Sequence, residues 1–295
     1  MHRLLVGHDD GGRTKCFIGL GSFLSGATVT MTRPKLNPPT RGWQADLPEP
    51  NAVPNEEPVL DGYVPNQLSD VYLELPRSYL RVQGVLLWLG LGSALFSIFV
   101  LFNLTLVDVE SFLISGAFFV VCIWSVMLML RLDISPPRDL PLRFNRLRRK
   151  MYVYEIDVVW WNPFIRWPIR AIAYDWADVR AEAWLQQGAI NGGHVMKWGV
   201  VLSVVKPGTN EVIDRFQLEA KSDAEAAWAY ICTYMQECPN SLPPPDYPSR
   251  DSEDEHRLNI AYMLAPKVKW PAEMDIESRT APADSTGRAS IAGEA

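Results

Sequence analysis

The chain has 295 residues, a formal net charge of −6, and a composition of 48% hydrophobic and 21% charged residues. This length allows one large domain or two small ones, and the near-average composition excludes a chain that is disordered throughout. Four cysteines in a chain of this length exclude a disulfide-stapled scaffold. The mildly acidic balance argues against a nucleic-acid-binding protein, which would normally carry a strongly basic face.

The first residues lack the pattern of a secretory signal. Asp9 and Asp10 interrupt the apolar run that a signal requires, and the stretch that follows is short and rich in glycine. The glycines of GLGSFLSG lack the G-x-G-x-x-G spacing and a following Gly-Lys-Ser/Thr. We therefore expect no nucleotide or other cofactor to bind there.

Proline dominates the next part of the chain. Nine prolines lie between Pro34 and Pro76, and each removes a backbone donor and biases the residue before it toward extended structure. This density excludes a regular helix or a central strand, so we predict that residues 1–76 form a proline-rich, largely extended arm. The apolar residues around Tyr72–Leu75 are predicted to form a short juxtamembrane segment.

Two long uncharged segments follow, at residues 82–107 and 111–130. A helix rises about 1.5 Å per residue and the hydrocarbon core is about 30 Å thick, so each segment is long enough to span a bilayer. The alternative is a pair of buried helices in a soluble protein, but such helices carry a polar stripe that both segments lack. Because few residues separate them, we predict that residues 77–135 form a transmembrane helical hairpin.

Basic residues flank this hairpin on one side. Arg77 and Arg81 precede the first segment, a basic run from Arg131 to Lys150 follows the second, and the acidic link around Asp108 has no basic residue. The positive-inside rule predicts a multi-pass protein with both termini in the cytoplasm. The middle of each segment has no ionisable residue, which favours an anchor over a transport path.

Residues 141–240 have the pattern of a β-rich domain. Apolar alternation and turn signals predict strands at Leu142–Phe144, Met151–Ile156, Arg170–Tyr174, Val179–Leu185, Lys197–Val205 and Glu211–Leu218. A helix over residues 222–237 follows, with Ser222 and Glu225 as its capping box. The predicted fold class is α+β: a transmembrane helical hairpin plus a small antiparallel β-barrel or sandwich closed by this amphipathic helix.

This order of elements resembles the pleckstrin-homology-like domains that bacteria attach to membrane hairpins, and IAYDWADV resembles their hydrophobic-x-Trp-x-x-hydrophobic element. The preceding hairpin, RFNRLRRKMYVY and YDWADVRAEAW together resemble an uncharacterised proteobacterial two-helix membrane-protein family often found beside type VI secretion toxin genes. The resemblance implies a location in the inner membrane and a role as an immunity or accessory protein. It supplies no catalytic residues.

Two groups of residues are candidate contacts for a protein partner or for lipid headgroups. The basic group is Arg143, Arg146, Arg148, Arg149 and Lys150, and the aromatic group is Trp160, Trp161 and Trp167. The basic group can hold anionic headgroups. The alternative is that it forms a solvated turn whose charges determine the membrane topology. The tryptophans lie in a stretch broken by proline, where they suit a protein interface or the headgroup layer; the alternative is that they fill the core.

Motifs for chemistry are absent from the sequence. It has no nucleophile elbow, no HExxH and no CxxC, and neither His194 nor His256 has a second ligand at metal-site spacing. Sequence alone does not show whether two carboxylates, such as those of Asp157, Asp175 and Glu182, face each other across a cleft. Most acidic side chains lie at the surface, so we expect these there. We therefore expect no enzyme activity, no metal and no cofactor.

The last part of the chain, residues 241–295, is acidic and poor in apolar residues, which predicts a mostly disordered tail. Within it, residues 258–264 and the following KVKW are predicted to form a short docking helix. The leading hypothesis is a membrane-anchored, non-enzymatic binding protein whose partner is a protein, such as a secreted toxin. The alternative is a scaffold or lipid-headgroup-sensing adaptor with anionic lipid as the ligand.

Overall fold

The computed structural model describes residues 33–60, 64–77, 84–104, 109–137, 140–190, 193–218, 224–237, 239–244 and 260–282. Our expectations for the first 31 residues, for the link around Asp108 and for the Ser222 cap lie outside these residues. All elements named below belong to one compact unit, residues 34–295. Its architecture is α+β, with two antiparallel sheets and a long helical pair.

The helical pair consists of α1 (Val85–Leu104) and α2 (Val109–Ile134). Gly90 of α1 faces Met129 of α2, where a Cβ atom at position 90 would lie 3.5 Å from the Cβ of Met129, an ordinary van der Waals contact. The buried carboxylate of Asp133, near the end of α2, accepts hydrogen bonds from the backbone N–H groups of Gly84 and Leu87, each at 2.7 to 2.8 Å. A carboxylate at a helix N-terminus satisfies otherwise unpaired donors, so Asp133 joins the end of α2 to the start of α1.

The two helices differ in the length of their apolar segments. Among the described residues, one helical segment, Gly116–Ile134 of α2, is long and apolar enough to cross a membrane, and the apolar part of α1, Val85–Val100, is shorter. The paired helices agree with the predicted hairpin geometry. That they span a bilayer remains a proposal.

The first sheet contains β2 (Gln67–Leu68), β3 (Tyr72–Leu75), β4 (Leu142–Asn145), β5 (Lys150–Ile156) and β6 (Ile169–Asp175), hydrogen-bonded in that order. Strand β3 therefore lies between β2 and β4, and our expectation that the proline-rich arm has no interior strand is wrong. The juxtamembrane position predicted for Tyr72–Leu75 stays a prediction. No proline falls between Pro65 and Pro76, so this stretch keeps all the donors that an interior strand needs.

The second sheet has the order β1-β7-β8-β9, with β1 at Trp43–Asp46, β7 at Val179–Ile190, β8 at Gly193–Val205 and β9 at Val212–Leu218. A 3-10 turn at Trp176–Asp178 separates it from the first sheet. The described strands form two sheets and not the closed barrel that was one of the predicted architectures, because β6 and β7 are not hydrogen-bonded to each other.

Helix α3 (Ala224–Gln236) covers the main core and contacts β4, β7 and β8, so it touches both sheets. Trp176 and Trp228 meet in this core with ring centroids 5.4 Å apart, and Phe144 packs edge-on against Trp176. Between Ala226 and Met235, α3 is buried on nearly all sides and not only along the predicted apolar face. Trp167 and Trp184 are buried as well as Trp176 and Trp228.

Candidate membrane-proximal surface

Residues 157–168 form a closed loop between β5 and β6, which we call the aromatic loop. The backbone N–H of Asp157 donates to the carbonyl of Pro168 at 2.9 Å and joins the two ends. Inside the loop, Asn162 accepts from the backbone N–H of Phe164 at 3.0 Å and from the indole N–H of Trp167 at 3.4 Å. These bonds fix the backbone of the loop.

The aromatic loop presents large apolar side chains to its surroundings. Trp160, Trp161 and Phe164 are 67%, 61% and 66% exposed, and the neighbouring Ile165 and Arg166 are exposed as well. A soluble surface rarely groups so many exposed apolar side chains unless a partner or a membrane covers them. The predicted contact role of Trp160 and Trp161 is consistent with this geometry.

Trp167 has a different position from its neighbours. It is 3% exposed and belongs to a small cluster, the base cluster, formed by Leu140, Tyr154, Ile156 and Trp167. Leu128 and Leu132 of α2 pack against this cluster. Trp167 is therefore not available as a surface contact, and its role is to hold the aromatic loop on the helical pair.

A hydrogen bond reinforces this junction. The guanidinium of Arg131, in the last turn of α2, donates to the carbonyl of Ile165 at 2.7 Å. The aromatic loop therefore lies beside the end of α2 where Asp133 caps α1. Trp88, in the first turn of α1, is exposed close to this same end.

Beyond this end, the outer faces of both helices are apolar and exposed. Large apolar residues that face outward include Leu91, Leu95, Phe96, Ile98 and Phe102 on α1 and Leu113, Ile114, Val120, Val121 and Ile123 on α2. The exposed apolar surface of the helical pair and that of the aromatic loop thus meet at one end of the pair.

One member of the basic group, Arg143, points into the protein. Arg143 is 2% exposed and forms ion pairs with Glu74 and with Asp275, the latter at 2.6 Å. Its guanidinium also lies over the ring of Trp270, 4.5 Å from the centroid. A side chain enclosed in this way has no free charge to offer a lipid headgroup.

The other basic residues also bind protein groups. Arg146 donates to the carbonyl of Glu237 at 3.0 Å, and Arg149 donates to that of Met235 at 2.5 Å. Arg148 donates to the carbonyl of Thr280 at 2.9 Å, and Lys150 pairs with Glu277 at 2.8 Å. Because Arg149 is exposed and Arg146, Arg148 and Lys150 are half-buried, a headgroup contact by these four residues stays a prediction, whereas Arg143 is enclosed.

Many of these contacts are made by residues 268–281, which we call the C-terminal strap. It contains α5 (Ala272–Arg279), which contacts β4, and it lies in the range for which composition predicts a mostly disordered tail. The side chain of Asn145 donates to the carbonyls of Ser278 and Thr280 at 3.0 and 3.1 Å. The hydrogen bond from Lys150 is the main cause that lowers the pKa of Glu277.

Sequence reasoning missed two further buried charges. Arg77, predicted only as a topology flank, is buried and pairs with Glu155 at 2.6 Å while donating to the carbonyl of Tyr154. Glu182 is 0% exposed and accepts from the hydroxyl of Ser203 at 2.7 Å. No local pattern could reveal these pairs, because their partners lie far apart in the sequence.

Two features of the described residues concern metal binding and thiol reactivity. Within them, no three His, Cys, Asp or Glu side chains are grouped so that they could hold a metal ion. Cys232 is buried in the main core, and burial raises the pKa of its thiol. A thiol in such surroundings is a poor nucleophile.

Comparison with known proteins identifies a family. Residues 119–282, more than half of the chain, match the family model described as a family of unknown function (DUF6708). The chain belongs to this family. No curated protein and no solved structure matches it.

The DUF6708 match joins the features described above. It begins inside α2, includes the aromatic loop and residues 143–150, and ends just after the C-terminal strap. The strap therefore belongs to the DUF6708 region along with strands β4 to β9. Helix α1 and strands β1 to β3 precede the matched residues.

Proposed function

We propose that this DUF6708 protein is a non-enzymatic binding protein anchored in the bacterial inner membrane by α1 and α2. Both termini and the two-sheet domain lie in the cytoplasm. The observation that carries the proposal is the continuity between the exposed apolar surface of the helical pair and the exposed side chains of the aromatic loop. In water this surface would be costly, and in a bilayer it is favourable.

The dimensions of the helical pair support insertion. The apolar segment Gly116–Ile134 of α2 has 19 residues and is therefore about 28 Å long, close to the thickness of the hydrocarbon core. Asp133, the acidic residue near the end of α2, has its carboxylate bonded to the start of α1. This arrangement keeps a charged group at the base of the hairpin without leaving it unpaired.

The aromatic loop then lies at the level of the headgroups. Tryptophan and tyrosine favour this layer because one part of the side chain is apolar and another is polar. Trp160, Trp161 and Trp88 would contact lipid there, and Arg166 would lie among the phosphates. This assignment gives the lipid contact to the aromatic loop and not to Arg143.

We propose a protein as the functional partner, and the family resemblance described above points to a secreted toxin that this chain neutralises. A surface suited to a protein exists on the long β7–β8 hairpin. Strand β1 pairs with residues 182–184 of β7, and β9 pairs with residues 200–205 of β8. Beyond these pairings, residues 186–190 and 193–198 pair with each other, and we call them the β7–β8 arm. Among the described residues, no third strand pairs with the outer edge of either segment.

The β7–β8 arm also exposes apolar side chains. Met196 and Trp198 continue the face on which Val200 and Leu202 are buried, but both are exposed. Unpaired strand edges beside apolar side chains are a template for the addition of a strand from another protein. We therefore place the toxin contact on this arm.

The alternative, a scaffold or lipid-headgroup-sensing adaptor, loses the support that it drew from Arg143, which is enclosed by Glu74, Asp275 and Trp270. It retains the aromatic loop as its lipid contact. The two functions differ in what happens when the gene is removed from a cell beside its toxin-producing siblings.

A competition assay tests the proposed function. A strain that lacks the gene is grown against its parent on a surface and in mixed liquid, with complementation by variants of this chain. We expect death on the surface only, rescued by the wild-type protein but not by the double variant Met196→Ser, Trp198→Ser. Ile213→Ser, an exposed apolar residue of β9 outside the arm, is the matched control and should rescue.

Two results would count against this account. Equal survival of the deletion strain in both settings excludes immunity and leaves the anchored adaptor. Full rescue by the arm variant, with wild-type expression, moves the toxin contact away from the β7–β8 arm while leaving immunity intact.

A further inference from the structure

The short helix α4 (Ile260–Leu264) lies against α2 and has an unusual distribution of side chains. Its small residue Ala261 and the following Ala265 are buried, whereas its large apolar residues face outward: Ile260, Met263 and Leu264 are exposed, Met263 to 60%. A helix on a soluble domain normally buries its large apolar side chains. The exposed apolar side chains of α4 would be stabilised by an apolar environment on its outer side.

The position of α4 is fixed by the residues that follow it. Val268 and Trp270 pack against the base cluster, the same cluster that Trp167 and the end of α2 enter. The ring of Trp270 also meets that of Tyr154 edge-on, with centroids 5.2 Å apart. Helix α4 is therefore held near the end of α2 that carries the aromatic loop.

The C-terminal strap prevents α4 from moving away. Trp270 lies under the guanidinium of the buried Arg143, and five residues later Asp275 forms an ion pair with the same guanidinium. Glu277 is bound by Lys150 and by the hydroxyl of Tyr152, at 2.8 and 3.0 Å. These contacts fasten the chain directly beyond α4 to the first sheet.

Basic residues lie on the side of α4 that leads to the strap and the aromatic loop, whereas the acidic residues of DSEDEH precede α4 in the sequence. Lys267 and Lys269 follow α4 and are exposed, and Arg166 is exposed on the aromatic loop. The chain as a whole has a net charge of −6, so basic residues beside exposed apolar ones do not reflect a general excess of positive charge. Apolar side chains bordered by lysines are typical of segments that lie in the interface of an anionic membrane.

We propose that α4 is a second membrane contact, in which Ile260, Met263 and Leu264 enter the interface of the same leaflet as the aromatic loop and Lys267 and Lys269 face anionic headgroups. The ligand is the anionic lipid surface. This inference rests on the proposed anchoring by α1 and α2, and it adds that the domain is held against the bilayer at two separate places and so in one orientation.

Fluorescent labels at single cysteines test the proposal on the full chain. Met263→Cys, Leu95→Cys and Lys206→Cys are made in a chain whose native cysteines are replaced by alanine, and circular dichroism checks that each variant keeps its fold. Leu95 is exposed on α1, and Lys206 is exposed at the turn after β8. Each protein carries the fluorophore NBD and is reconstituted into vesicles of phosphatidylethanolamine and phosphatidylglycerol.

We expect a blue-shifted emission at position 263 that is quenched by lipids with a spin label near the headgroup. Position 95 should be quenched by labels deep in the acyl chains, and position 206 only by iodide in the water. Changing Lys267 and Lys269 to glutamine should remove most of the lipid quenching at position 263 in these vesicles. The same change should have a smaller effect in vesicles of phosphatidylcholine alone.

The contrary outcomes are distinct. If iodide quenches position 263 as strongly as position 206 while position 95 stays in lipid, α4 does not contact the membrane and the anchoring stands. If position 95 is open to iodide, the anchoring itself fails. If neither lipid nor iodide quenches position 263, a protein surface covers α4, which also overturns the proposal.

Discussion

Replacing Arg143 with methionine is expected to destabilise the protein by about 3–5 kcal/mol, the usual cost of removing one partner from a buried ion pair. The guanidinium is the group that joins Glu74 on β3, Asp275 on α5 and the ring of Trp270. Without it, the carboxylate of Glu74 stays largely buried with no cation beside it. The C-terminal strap also loses its central contact with the first sheet.

Thermal unfolding in detergent and hydrogen exchange of residues 272–279 measure this effect. Arg148→Met is the matched control, because Arg148 also binds the strap but donates to backbone and hydroxyl oxygens of Thr280 and makes no buried ion pair. We expect it to cost no more than about 1 kcal/mol. Equal melting temperatures for Arg143→Met and the wild-type protein would contradict the role assigned to Arg143.

Replacing Glu182 with alanine is expected to cost about 3 kcal/mol or more, because several donors lose their shared buried acceptor. The carboxylate accepts from the backbone N–H of Thr40 at 3.0 Å and from Ser203 at 2.7 Å, and it pairs with Arg215 at 3.4 Å. Thr40 belongs to the proline-rich arm, so this change should also loosen the arm near β1.

Denaturant unfolding gives the loss of stability, and limited proteolysis shows whether cleavage begins between residues 36 and 47. Glu211→Ala, which removes an exposed carboxylate beside β9, should leave both readouts unchanged. If Glu182→Ala and Glu211→Ala behaved alike, Glu182 would not be the acceptor that holds the arm.

The strands with regular alternation could be predicted from the sequence because their signals are local. Leu142–Asn145 and Lys150–Ile156 differ from the predicted strands by one residue each, and α3 lies within the predicted helix. The turn between these strands begins with Asn145, whose side chain accepts from the backbone N–H of Arg148 at 2.9 Å. Alternation and turn chemistry act over a few residues and need no knowledge of tertiary contacts.

The use of the basic group could not be predicted in the same way. Five basic residues close together look like a solvated or headgroup-binding turn until their partners are known. The partners of Arg143 lie 69 and 132 residues away in the sequence, at Glu74 and Asp275. Composition likewise predicts a mostly disordered tail and misses α5. The contacts that hold α5 come from β4 and β5, and the sequence of the tail does not reveal them.

Trp167 shows the same limit on a smaller scale. Its neighbours Trp160 and Trp161 share its residue type and its proline-broken stretch, yet they are exposed while Trp167 is buried against α2. Sequence identified the aromatic loop but not which indole anchors it. The division depends on the position of α2, which the local pattern does not contain.

Extraction of isolated membranes with alkaline carbonate tests the central claim, anchoring by the helical pair, most directly. We predict that the full chain stays in the membrane pellet, as does Ile213→Asp, which places a charge on an exposed apolar position of β9. The double variant Leu95→Asp, Val121→Asp, with charges on the outer faces of α1 and α2, should lose stable insertion because a charge in the hydrocarbon core is costly. Release of the wild-type chain into the supernatant would contradict the anchoring and, with it, the orientation proposed for the domain.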